Sequence, residues 1–410
     1  MISKKKYFLT IVAVIIVTVF LTMTVGNVLL VEVGEKVVIT QEHYTELNNL
    51  AKKYAKQESV MDYAKKNFLY EADEKVMLEG ALQGTLNALG DPYTQFMTKK
   101  EFDELMQDTE GSFDGIGVYI TASDDNRILI VSPIEDTPAE KAGLKTGDKI
   151  IRINGTEYTA KQMDDAVKIM RGMPGTTVNL TIMREGENGK KDIIDVVVNR
   201  EKIRIKTVKP ALLKDNIGYI RITTFDMQTA EDFKVAYNNL KKQGIKGLII
   251  DLRNNPGGII DATVEISDMF MGEGIVTYTK TKAGEVEYYK SDKSMDDIPL
   301  VLLVNNGSAS ASEIMSGALK DTKRATLIGT KTFGKGIVQR VQKFGSEGEG
   351  IKMTVSEYFT PNGINIHKIG IEPDIVLELP ENAPGYGNEY YDTDNQLQKA
   401  VEELKNKIGQ

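Results

Sequence analysis

The chain holds no cysteine in 410 residues and only two histidines. Without cysteine there is no disulfide, no thiolate nucleophile and no Cys-based zinc site, and the redox poise of the compartment leaves no trace in the sequence. A Ser/His/Asp triad would have to draw on His43 or His367. His43 sits in a helical N-terminal segment, and His367 follows the Pro361-Asn362-Gly363 turn with no nucleophile motif beside it, so packing or surface roles fit both. Positive charge is also short: 51 Lys and Arg against 59 Asp and Glu give a net charge of -8, which offers nucleic acid no electrostatic footprint. What is present is apolar residues at 41%, enough in a chain of this length for at least two independent cores.

The one long uncharged run follows Lys4, Lys5 and Lys6, spans residues 7–31 and is closed by Glu32. As a helix it is long enough to cross roughly 30 Å of hydrocarbon, with the lysines held in the cytoplasm. It exceeds the about 7 to 15 apolar residues of a signal peptide, and no A-x-A-like site follows. The expectation is an uncleaved single-pass anchor at the cell membrane, with residues 1–6 as a cytoplasmic tail and the bulk of the chain extracytoplasmic.

Beyond it, residues 40–110 alternate charged and apolar side chains at helical spacing, and Tyr63, Phe68, Met77, Leu78, Ala81, Leu82 and Leu86 form the expected buried stripes. This helical region, a candidate for dimer contacts, closes on the turn Gly90-Asp91-Pro92 and carries no assigned chemistry. Residues 111–201 change to short β-rich runs (118–121, 128–131, 149–153, 177–183, 193–198) broken by Gly and Asp turns, with helices at 137–144 and around Met163, Ala166, Val167 and Met170. From residue 205 to about 380 the pattern is βα, with strands at 217–222, 247–252, 300–304 and 325–328 and helices near 230–242, 260–271 and 312–319. The apolar runs Leu248-Ile249-Ile250 and Val301-Leu302-Leu303-Val304 predict a mostly parallel sheet buried on both faces. A final amphipathic helix over 395–407, within a C-terminal helical segment 381–410, packs on this core or on a second subunit.

Phe113-Asp114-Gly115-Ile116-Gly117-Val118 opens a strand with two glycines, and such a loop exposes backbone N–H groups able to hold a terminal carboxylate. Together with Ser132-Pro133-Ile134, Thr137-Pro138-Ala139-Glu140-Lys141-Ala142-Gly143-Leu144, Gly147-Asp148-Lys149-Ile150 and Ile153-Asn154-Gly155, the run resembles a bacterial-type PDZ domain. The resemblance implies that an extended C-terminus adds as a strand between residues 115–121 and the helix of residues 161–171, with Gly115, Ile116, Gly117 and Val118 as the peptide-binding positions and the last side chain in an apolar pocket. Arg171, just before Gly172, is a candidate to report ligand binding by pairing with an acidic residue across the domain boundary. The simpler role is to complement a helix C-terminus.

Three further motifs carry chemistry. The strand at 300–304 runs into Asn305-Asn306-Gly307-Ser308-Ala309-Ser310-Ala311-Ser312-Glu313, which places a hydroxyl among small residues at a helix N-terminus, where a developing oxyanion is favoured. Thr332-Phe333-Gly334-Lys335-Gly336-Ile337-Val338-Gln339 sets a lysine between two glycines in an apolar stretch. Free lysine titrates near ~10.4, so at pH 7 only about one amine in 2,500 is neutral; burial without a carboxylate partner pushes the amine down into a useful range. Gln339, read as lying on the same strand face as Lys335, orients the amine without adding charge. Asp251-Leu252-Arg253-Asn254-Asn255-Pro256-Gly257-Gly258 ends a buried strand, where the sites of such sheets gather, and its glycines supply oxyanion donors.

In this order, and followed by Thr360-Pro361-Asn362-Gly363 and Gly370-Ile371-Glu372-Pro373-Asp374, the motifs resemble the C-terminal processing peptidases over residues 65 to 380. The resemblance implies an α/β multidomain protein: a helical N-terminal segment, an inserted β-rich PDZ domain and a ClpP/crotonase-like α/β peptidase core. It implies a serine endopeptidase with Ser310 as nucleophile, Lys335 as general base, Gln339 as its orienter and an oxyanion hole from Ala311 and Gly257, with no metal or cofactor. Its partners would be proteins or peptides with free, apolar C-termini and a second copy of itself. The alternative is a non-catalytic PDZ-based scaffold or receptor, which has no use for a glycine-flanked lysine.

Overall fold

The computed structural model describes residues 3–25, 31–33, 36–186 and 190–409. The chain divides into two compact units, Met1–Thr85 and Leu86–Gln410.

The first unit opens with the helix Lys4–Val25. Among the described residues no helix is long and apolar enough to cross a membrane. This overturns the expected single-pass anchor, and the cytoplasmic tail and extracytoplasmic placement lose the span from which they were read. The uncharged run is not one helix: the first turn of Lys4–Val25 is spent on three ammonium groups, and Val31 already belongs to a strand, Val31–Val33, paired antiparallel with Lys36–Val38. Residues 26–30 of the expected span, and Met1 and Ile2 of the expected tail, lie outside the described residues.

The helix Gln41–Asn67 follows, with Thr40 as N-cap accepting from the His43 N–H at 3.2 Å. The helix Glu74–Asn87 comes next and runs into the second unit. The expected buried stripe is largely exposed: Tyr63 at 72%, Phe68 at 59%, Leu78 at 45% and Leu82 at 43%. Helical periodicity marks an apolar face but does not say whether this chain covers it. Tyr63, Phe68 and Met77 instead line an open groove of about 670 Å³.

In the second unit the central sheet has six strands in the order Val208–Leu213, Ile217–Ile222, Gly247–Asp251, Leu300–Val304, Ala325–Gly329 and Ile375–Val376. All neighbours after the first pair are parallel. Every residue of Gly247–Asp251 and Leu300–Val304 is buried, as continuous apolar strands covered on both faces require. The helices Thr229–Lys242, Ile260–Asp268 and Ala311–Asp321 contribute to the core on one face. The C-terminal helix Asn395–Ile408 lays Leu397, Ala400, Val401 and Leu404 on the other, so its partner is this core.

A five-stranded sheet stands beside this core: Val286–Ser291, Gly274–Thr281, Glu349–Phe359 and Ile337–Phe344 in that order, with Gln95–Met97 also paired to Glu349–Phe359. The PDZ region forms its own sheet in the order Lys191–Asn199, Thr177–Glu185, Lys149–Ile153, Ile128–Pro133 and Val118–Ala122, around a separate apolar core. It is entered and left through one antiparallel ribbon, Ser112–Gly115 against Glu201–Arg204.

Candidate active site

The carboxyl ends of the parallel strands place the motif loops together, because in such a sheet every connection leaves from the same edge. The loop after Asp251 and the loop after Val304 are stapled by reciprocal amides: the Asn254 N–H donates to Asn305 Oδ1 at 2.8 Å, and Asn305 Nδ2 donates to Asn254 Oδ1 at 2.9 Å. Of the three serines, two are consumed by structure. Ser308 and Ser312 are fully buried and donate to the carbonyls of Leu252 and Asn255 at 2.8 and 2.9 Å. Ser310 remains at the start of the helix Ala311–Asp321 with φ 53° and ψ -114°, a region costly for any residue with a Cβ. Its carbonyl accepts from the Tyr358 hydroxyl at 3.1 Å; burial holds that phenol well above its ordinary range, so it stays a donor.

Gly257 has φ 101°, and a Cβ there would lie 2.7 Å from the Ala309 carbonyl oxygen and 2.8 Å from the Ala311 nitrogen. Only glycine lets the two loops meet so closely. Its N–H is already spent, donating to Asn255 Oδ1 at 2.9 Å. Among the described residues the N–H groups of Gly258 and Ala311 have no acceptor. Gly258 lines the same cavity as Ser310, with its N–H unspent where that of Gly257 is taken.

Lys335 lies in a loop ahead of the strand Ile337–Phe344, not on a strand face with Gln339, and a bulge between Val338 and Gln339 also breaks the alternation. Its flanking glycines serve close approach: a Cβ on Gly334 would meet the Gly370 nitrogen at 2.9 Å, and one on Gly336 the His367 nitrogen at 2.5 Å. Burial pushes the Lys335 amine below the ordinary lysine range, and the like charge of Lys352 adds to it; Glu313 and Asp91 pull the other way without cancelling the effect. The Lys335 Nζ sits 4.8 Å from the centre of the Tyr93 ring. Among the described residues no hydrogen bond joins it to Ser310 Oγ or to Gln339, whose Nε2 donates instead to Thr354 Oγ1 at 3.3 Å. Ser310, Lys335 and Gln339 nonetheless line one cavity of about 470 Å³, walled by Phe225, Ile259, Ile314 and Tyr358. Neither histidine lines it.

Glu313 is the residue whose part the sequence reading left unassigned. Fully buried, its carboxylate accepts from the Ser310 N–H (3.0 Å), the Lys335 N–H (2.8 Å), the Gly334 N–H (2.7 Å) and the Thr332 hydroxyl (2.6 Å). One side chain thus fixes the backbone of both the serine and the lysine. The signal was in reach, since Ser310-x-x-Glu313 has the spacing of a capping box.

In the PDZ region, Val118–Ala122 is an edge strand beside the helix Met163–Met170. Phe113, Ile116, Val118, Ile134, Val167 and Met170 are among the residues lining a groove of about 220 Å³ between them, with Gly115, Gly117 and Arg171. Among the described residues the N–H groups of Ile116 and Gly117 have no acceptor, as a carboxylate cradle requires. Among the described residues Arg171 finds no acidic partner: it donates to Gln107 Oε1 at 2.6 Å and lies over the Phe113 ring. Among the described residues no group of acidic and histidine side chains has the makings of a metal site.

Comparison with known proteins matches residues 216–377 to peptidase family S41, residues 129–184 to the PDZ domain and residues 19–101 to the N-terminal domain of the activating protease CtpB. The chain is 37% identical over 333 residues to the carboxy-terminal processing protease CtpA of Bacillus subtilis, across 81% of this chain and 70% of that protein. To the carboxy-terminal processing protease CtpB of the same bacterium it is 37% identical over 329 residues, across 79% of this chain and 68% of that one. The crystal structure of a putative S41 protease from Bacteroides fragilis shares the fold at a TM-score of 0.50 and 17% identity, over 80% of this chain and 90% of its own.

Proposed function

This chain belongs to peptidase family S41 as a carboxy-terminal processing serine protease with a PDZ domain, and from that premise we propose that it cuts protein substrates near their C-termini through a Ser310/Lys335 dyad. In this reading the neutral Lys335 amine takes the Ser310 hydroxyl proton as the oxygen attacks the scissile carbonyl. The N–H groups of Ala311 and Gly258 hold the oxyanion, and the Lys335 ammonium then protonates the leaving amine. Water, deprotonated by the same lysine, releases the acyl group from Ser310. Gln339 orients the amine once the lysine has swung to the serine. The observation that carries the proposal is the shared cavity of Ser310, Lys335 and Gln339, with Glu313 binding the backbone of the first two.

Substrates with a free, apolar C-terminus fit the PDZ groove, whose lining is apolar and whose Ile116 and Gly117 N–H groups stand open. Arg171 would sense that ligand, since it lines the groove and bonds Gln107 on the helix Lys99–Glu110, whose Leu105, Asp108 and Thr109 line the Ser310 cavity. We divide the chain at residues 40–110, 111–201, 205–380 and 381–410 into the helical region, PDZ domain, peptidase core and C-terminal segment. The exposed groove around Tyr63 and Phe68 supports self-association through the helical region. Sedimentation at rising concentration tests this, and a monomer throughout would refute it.

Incubating the full chain with an unfolded protein that ends in a free apolar residue should yield cleavage near that end, abolished in Ser310→Ala and in Lys335→Ala. Cleavage persisting in either variant removes the dyad. Amidating the substrate's terminal carboxylate should slow cleavage, and an unchanged rate would remove the groove from the reading.

A further inference from the structure

The turn Gly90-Asp91-Pro92-Tyr93-Thr94, assigned no chemistry above, is built against the proposed catalytic lysine. Asp91 accepts from the Tyr93 N–H at 3.1 Å and the Thr94 hydroxyl at 2.6 Å. Thr94 Oγ1 in turn accepts from the Thr354 N–H at 3.1 Å, and Thr354 is the residue that holds the Gln339 amide. Burial works against the Asp91 charge, but the hydroxyls of Thr94 and Thr354 outweigh it and hold the carboxyl below its usual range. So anchored, the turn presents the half-buried Tyr93 ring to Lys335 Nζ at 4.8 Å.

A ring face attracts an ammonium through its quadrupole and gives a neutral amine no such hold. A lysine held there by its charge would be in the wrong protonation state to act as a base, and among the described residues no hydrogen bond joins this one to Ser310 Oγ. We propose that Tyr93 is a positioning residue, the resting seat of the protonated Lys335 amine, which the lysine leaves as it loses its proton and turns to Ser310. The proposal rests on the reading of Lys335 as general base. It gives Gln339 two stations: through Thr354 it braces the seat at rest, and it orients the amine during turnover.

The titratable groups that act on Lys335 sort onto three elements. Asp91 belongs to the turn, Glu313 to the helix Ala311–Asp321 and Lys352 to the strand Glu349–Phe359, while His367, on the loop behind Gly336, acts on Asp91. Tyr93 is the group beside them whose ring face discriminates ammonium from amine.

The test follows the Lys335 amine by NMR in the full chain carrying isotopically labelled lysine, its resonance assigned by its loss in Lys335→Arg. Tyr93→Leu should lower the pH at which this amine titrates, and Tyr93→Phe, which keeps the ring, should leave it in place. In parallel, on the acidic limb of the kcat/KM profile against a peptide with a free apolar C-terminus, Tyr93→Leu should be about two- to fivefold faster than the parent, the factor given by a partly exposed cation–ring contact. If Tyr93→Leu unfolds, fluorinated phenylalanines at position 93, which drain the ring face at nearly constant size, should lower the titration stepwise with fluorine content. An amine that titrates at the same pH in the parent, the leucine variant and the fluorinated series overturns the seat. The dyad is judged separately: cleavage by Lys335→Ala removes the base whatever the resonance does, and an inert Lys335→Ala with an unmoved resonance removes the seat alone.

Discussion

At the scale of single residues, the site depends on Glu313, a carboxylate that meets neither substrate nor solvent. Four donors converge on it, two of them the backbone N–H groups of the serine and the lysine. Glu313→Ala strands these donors in a buried setting, where each unsatisfied group costs roughly 1–3 kcal/mol. Urea unfolding should show a loss of at least about 3 kcal/mol, and an unchanged midpoint would argue that water repairs the gap. Glu313→Gln keeps the volume but turns one acceptor into a donor facing donors, so kcat should fall by about 10²-fold with a smaller change in KM, as for a site displaced by about an ångström. The pH profile is also set here. Burial depresses the Lys335 amine, and only the neutral amine accepts a proton, so kcat/KM should climb with pH through a midpoint below the ordinary lysine range. A limb centred at or above the free-lysine value would remove the role assigned to burial.

At the scale of elements, the legible parts of the sequence were those where one pattern decides the outcome. Leu300–Val304 and Lys149–Ile153 have their expected bounds because a short apolar run between turn residues admits few alternatives. The layer formed by Gly274–Thr281, Val286–Ser291, Ile337–Phe344 and Glu349–Phe359 escaped notice, since one or both of its faces keep charged, exposed side chains such as Lys280, Glu287 and Arg340. Ser310 and Lys335, which line one cavity, were singled out by their small neighbours. The spent N–H of Gly257 and the Tyr93 contact were not, because hydrogen-bond partners distant in sequence decide both. The C-terminal helix illustrates the same limit: its amphipathic face was evident, but the buried cluster that locks it was not. Arg253 pairs there with Asp251 at 2.6 Å and Asp394 at 2.8 Å, and Gln396 accepts from its Nη1. Asp394→Ala leaves part of a buried guanidinium charge uncompensated, so unfolding should lose roughly 3–5 kcal/mol. A shift under about 1 kcal/mol would mean that Asp251 alone suffices.

At the scale of the whole molecule, the PDZ domain and the peptidase core carry separate apolar clusters and meet through the ribbon Ser112–Gly115 and Glu201–Arg204. Ion pairs reach from the PDZ side to residues just past the ribbon, with Lys206 on Asp136 at 2.7 Å and on Glu135 at 3.7 Å. These pairs are exposed, and such contacts steer orientation more than they stabilise. Raising ionic strength should therefore change the rate on substrates with a free carboxylate more than on amidated ones, while thermal unfolding stays put; equal responses would show that salt acts elsewhere.

Because the chain enters and leaves the reading head side by side, whatever lies between those two strands behaves as a cartridge. An exchange of residues 116–200 for another head of matching stem width leaves the strands of the core in place, and it breaks the Arg171 bond to Gln107 unless the new head restores it. If the groove reads substrate tails as proposed, recognition is free to drift from one tail chemistry to another while the blade stays unaltered, and a chimera whose cleavage follows the transplanted head would display that freedom in a single step.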